Sequence, residues 1–78
     1  MAGKAQKIEP TKADLVYERY REELEKEHFG KIVAIDTDSE KIVGIGYNIS
    51  EAYKLAQKKT GKKQFDFKRV GYSYINRL

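Results

Sequence analysis

The chain has 78 residues, with 16 lysines and arginines against 12 aspartates and glutamates, one histidine and no cysteine. A chain of this length builds one domain around one modest core, which excludes a two-domain cleft and a doubly wound nucleotide fold. Without cysteine there is no disulfide framework, thiolate zinc site or thiol nucleophile, and His28 alone cannot make a histidine-rich metal site.

Residues 1–10 mix small and charged side chains without periodicity and are expected to form a flexible arm, leaving residues 11–78 as a single α+β domain. From Thr11 the pattern is helical: Ala13, Tyr17, Tyr20 and Leu24 recur at spacings of four, three and four. Thr11 and Asp14 make a capping-box start, Glu22 and Lys26 are placed for an ion pair along the helix, and Gly30 is expected to stop it. Lys31–Asp36 and Lys41–Tyr47 are β-branched runs of strand length joined by the polar turn Thr37–Glu40, which predicts an antiparallel hairpin. Ile32 and Ala34 would face one side and Val33 and Ile35 the other, so the first strand is apolar on both faces and is expected to be central.

Ser50 is expected to cap a second helix whose inward face is Ala52, Leu55 and Ala56, with Gly61 closing it. Gln64–Val70 alternates, placing Phe65 and Phe67 on one face and Asp66 and Lys68 on the other. After Gly71 the large residues become Tyr72 and Tyr74, which fits either a bulge extending the third strand or a separate short strand. The predicted order is α-β-β-α-β, with an antiparallel sheet in the order 2-1-3 and a helical layer against one face.

No apolar run reaches the roughly 18–20 residues of a membrane span, and the first residues lack the apolar stretch of a secretory signal, so a cytoplasmic protein is expected. The lysine- and glutamate-rich composition points to a thermophilic source.

Several motif fragments do not carry chemistry. Gly44-Ile45-Gly46 sits where a dinucleotide fingerprint would, but the third glycine position is Ile49, so close packing of a helix or an aromatic ring on the strand is the better account. Asp36, Asp38 and Glu40 alternate like a calcium loop, yet Lys41 and Tyr47 occupy the positions that need glycine and glutamate. Asn48-Ile49-Ser50 is formally a glycosylation sequon, and the glutamates between Glu18 and Glu27 are a solvated helix face. The sequence predicts no enzyme, cofactor or metal site.

Charge is unevenly placed. Ala52–Leu78 holds eight basic residues against Asp66 alone, and therefore the whole positive excess of the chain. A nucleic-acid-binding surface would use Lys54, Lys58, Lys62, Lys63, Lys68, Arg69 and Arg77, with Tyr72 and Tyr74 offered to bases. A protein-binding or self-associating surface would use Tyr72, Tyr74, Ile75 and Leu78, through a sheet edge formed by the third strand. The Tyr17–Leu24 stripe is a further self-association surface, although packing on its own sheet is favoured.

Lys31 to Gly71 resembles a family of small, largely uncharacterised prokaryotic proteins. The shared pattern runs G-K-x-V-A-I-x-D, V-x-G-x-G, E-A-x-x-x-A and R-V-G, matched here by Gly30, Lys31, Val33, Ala34, Ile35, Asp36 or Asp38, then Val43, Gly44, Gly46, Glu51, Ala52, Ala56, Arg69, Val70 and Gly71. That resemblance brings no catalytic residues. The strand-strand-helix portion is also similar, more weakly, to the partial RNase-H-type fold of HicB antitoxins, without their P-E-L-P-G-C segment between the strands. Together the resemblances imply a regulatory or partner-binding role of antitoxin-like kind.

Overall fold

Every residue of the central strand is buried, and that fact organises the molecule. The computed structural model describes residues 11–71, in the order α1 (Lys12–Glu27), β1 (Ile32–Asp36), β2 (Lys41–Gly46), α2 (Ile49–Thr60) and β3 (Asp66–Arg69). The strands form one antiparallel sheet ordered β2-β1-β3, as the sequence predicts. Val33 and Ile35 pack with Ala13, Val16, Tyr17 and Leu24 of α1, whereas Ile32 and Ala34 pack with Ala52 and Ala56 of α2. The helices thus cover opposite faces, and the expected single helical layer on one face gives way to three layers. A strand apolar on both sides leaves one face of its sheet wet unless each receives a helix.

Thr11 caps α1 reciprocally: its hydroxyl accepts from the Asp14 N–H at 3.1 Å and its own N–H donates to the Asp14 carboxylate at 2.9 Å. The helix ends at Glu27 with His28 as C-cap, earlier than a stop at Gly30 would place it, and Gly30 (φ +88°) instead turns the chain into β1. Val16 joins the predicted buried stripe while Tyr20 is half-buried. Within α1 the ion pair that forms among the described residues is Arg21–Glu18 at 3.1 Å, not Glu22–Lys26.

The pairing of β1 with β2 shifts register between Ala34 and Ile35, leaving Val43 as an extra residue. This bulge sends Ile42 and Ile45 to the α1 side and Val43 to the α2 side. Gly44 and Gly46 then lie directly under α2. A Cβ on Gly44 would stand 2.4 Å from the Ala52 carbonyl oxygen, and one on Gly46 would stand 2.7 Å from the Ala52 nitrogen. The glycine pair serves close helix–strand packing, as expected from the sequence.

Asn48, rather than Ser50, caps α2. Its side chain accepts from the Glu51 N–H at 2.8 Å, and the Glu51 carboxylate accepts from the Tyr47 N–H at 2.6 Å. Capping from position 48 puts Glu51 at the third helical residue, where its side chain can reach back; a cap at Ser50 would forfeit that exchange. Gly61 closes the helix in the left-handed conformation, φ +79°. Beyond β3, the Gly71 N–H donates to the Tyr17 hydroxyl at 3.1 Å, tying the end of the sheet to α1.

Candidate functional site

Because α1 and α2 lie on opposite faces, the charge imbalance of the sequence becomes a spatial one. The α1 segment carries six acidic and four basic residues, whereas α2 carries Lys54, Lys58 and Lys59 against Glu51, and Lys62 and Lys63 follow it. Lys58 and Lys59 stand in the last turn of α2, where cations also complement the helix dipole.

The predicted basic residues separate into two groups. Lys62 reaches Asp36 at 2.9 Å and Asp38 at 3.3 Å across the hairpin end of the sheet. Asp36 further accepts from the Ser39 hydroxyl at 3.0 Å and from the Asp38 N–H at 3.1 Å. The Lys62 ammonium bonded to it holds the Asp36 carboxyl below the usual 3.8 against the effect of burial, and the same pairing raises Lys62 above 10.5. Lys68 projects to the other face, as the alternation along β3 requires, and pairs with Asp14 of α1. Burial pushes the Asp14 carboxyl up, but hydrogen bonds from Lys68 and from the Thr11 N–H outweigh it and leave the group below its ordinary value. Arg69 donates to the Gly30 carbonyl at 3.1 Å. These three residues close the fold and are not gathered into one surface.

Lys54, Lys58, Lys59 and Lys63 form the second group. All four are exposed, and among the described residues none of their side chains makes an ion pair or hydrogen bond. Arg77, Tyr72, Tyr74, Ile75 and Leu78, predicted for nucleic-acid or partner binding, lie outside the described residues.

Aromatic rings near this basic group are already engaged. Tyr53 and Phe65 meet edge-to-face with centroids 5.8 Å apart, and Phe65 and Phe67 pack against the α2-side core. Tyr17 and Leu24 of α1 are buried in the opposite core, so that stripe serves the protein's own sheet.

One apolar feature was missed by the helical pattern. Leu55, expected to point inward, is 47% exposed. Gly44 and Gly46 bring α2 so close that only alanine fits beneath it, and Leu55 is displaced to the flank over β2. There it lines a groove of about 480 Å³ with Ile42, Val43, Ile45, Lys58 and Lys59.

Among the described residues there is no cluster of three metal-ligating side chains and no helix long and apolar enough to cross a membrane. Compared with protein-family models, with curated proteins and with solved structures, the chain matches none.

Proposed function

We propose that this protein is a small non-enzymatic interaction module of a regulatory kind, which binds an acidic protein partner through the lysine face of α2. The observation that carries this reading is the group Lys54, Lys58, Lys59 and Lys63: exposed cations without anionic partners among the described residues, three of them on α2, which covers the face of the sheet opposite the acidic α1, and Lys63 in the loop that follows. Such a dipolar molecule presents one face to negative partners and turns the other away from them. The resemblance to HicB-type antitoxins and to the small prokaryotic family supports a regulatory role by analogy.

Nucleic acid is the alternative occupant of the same lysines. Base stacking finds little support, since Tyr53 and Phe65 are spent on each other and Phe67 on the core. Contact would then rest on phosphate alone, which is steeply salt-dependent. The test titrates the isotope-labelled protein with polyglutamate and with a generic DNA duplex at low and physiological salt, following backbone amides. Polyglutamate is expected to shift residues 54–63, and duplex binding to collapse between the two salt conditions. Tight duplex binding that survives physiological salt would overturn the protein-partner reading in favour of nucleic acid, and no shift with either polymer would overturn both.

A further inference from the structure

The two outer strands of the sheet differ in character. Within β3, Asp66, Lys68 and Arg69 are charged, the usual protection of an exposed edge, and the strand has only four residues. In β2, the run Ile42-Val43-Gly44-Ile45-Gly46 carries no charge, and among the described residues no strand pairs with its outer side. Grooves flank this edge on both faces. On the α2 side lies the apolar channel edged by Leu55, Lys58 and Lys59; on the α1 side lies one lined by Tyr20, Leu24, Glu23 and Glu27, with Ile42 and Ile45 shared by both.

Resting on the proposed recognition of an acidic partner, we infer that the outer edge of β2 is where that partner docks, as an added strand with carboxylates and apolar residues in alternation. Consecutive residues of an added strand point to opposite faces. Those facing α2 would run over Leu55 and present carboxylates to Lys58 and Lys59. Those facing α1 would be apolar, covering Tyr20 and Leu24, because Glu23 and Glu27 repel carboxylates there. A second copy of the chain does not satisfy this edge. Antiparallel pairing of two β2 strands about an axis normal to the sheet keeps each face on its own side, which sets Lys58 and Lys59 of one copy toward the same lysines of the other.

The test uses the full chain, isotope-labelled, and a capped eight-residue peptide of alternating valine and glutamate. Saturable shifts are expected at residues 42–46 together with slowed amide exchange in that strand. Lys58→Gln with Lys59→Gln should weaken binding roughly tenfold or more. Methylating the peptide's backbone nitrogens along one edge, which leaves its side chains unchanged, should abolish binding in one of the two edge variants. Shifts confined to residues 54–63 and indifferent to backbone methylation would overturn edge docking while leaving the lysine face intact. Absence of any shift would overturn both.

Discussion

Gly44 and Ala52 stand backbone to backbone: a single added carbon on the glycine would lie 2.4 Å from the alanine carbonyl oxygen. The contact sets the depth at which α2 rests on β2, and through it the exposure of Leu55 and the groove that Leu55 borders.

Gly44→Ala is therefore expected to destabilise the fold by about 2–3 kcal/mol, the upper part of the range for overpacking, because the clash is with backbone. For a chain of this size that lowers Tm by about 10 °C or more. Gly30→Ala is the control, since nothing lies within 4 Å of a Cβ there and its cost is the positive φ alone, about 1–2 kcal/mol. Denaturation of the two variants side by side decides the matter; a Gly44 variant no less stable than the Gly30 one would show that α2 does not sit as described.

Capping separates two adjacent polar residues. Asn48→Ala removes the acceptor of the Glu51 N–H and should cost about 1 kcal/mol, whereas Ser50→Ala should change stability by no more than a few tenths. Urea midpoints in the reverse order would return the cap to Ser50.

Two carboxylates are expected to contribute to the acid limb of stability. Asp36, bonded to Lys62, and Asp14, bonded to Lys68 and Thr11, are both held below the ordinary 3.8 in the folded state. Near that value the unfolded chain binds more protons than the folded one, so their contribution is whole well above 3.8 and drains away as pH falls through and below it. Asp36→Asn should lower stability at neutral pH and flatten its decline in acid. An unchanged acid limb in Asp36→Asn and Asp14→Asn alike would remove these pairs from the account. Lys62, raised above 10.5, works in the opposite sense: its share is present below that value and lost at more alkaline pH.

Much of this was legible in the residues. The both-sided apolar run from Ile32 to Ile35 predicts the central strand, and Thr11 with Asp14 predicts the start of α1 to the residue. The second helical layer, where one was expected, follows from the same run, because a central strand cannot bury both faces against a single helical layer. Asn48-x-x-Glu51 was available as a capping pair, but a serine two residues later competes for the role on type alone. The lysines were less readable. Lys62 and Lys63 are neighbours, yet one is drawn to Asp36, 26 residues earlier in the chain, and the other is not. Such choices depend on where the hairpin end comes to rest against the loop after α2, which no local spacing encodes. Leu55 escaped for a related reason: helical periodicity gives a direction on the helix but not the depth of its packing, and that depth is set by Gly44 and Gly46 on another element.

On the proposed reading, binding belongs to the four exposed lysines and not to the basic residues that hold the fold together. The decisive comparison is of polyglutamate affinity in two neutralised proteins, one with Lys54, Lys58, Lys59 and Lys63 changed to Gln, the other with Lys68 and Arg69 changed to Gln. The first is expected to keep its stability to within about 1 kcal/mol per helix-end lysine and to lose binding, while the second loses stability and, where still folded, binds within about twofold of the unaltered protein. Binding retained by the first and lost by the folded second would contradict that reading.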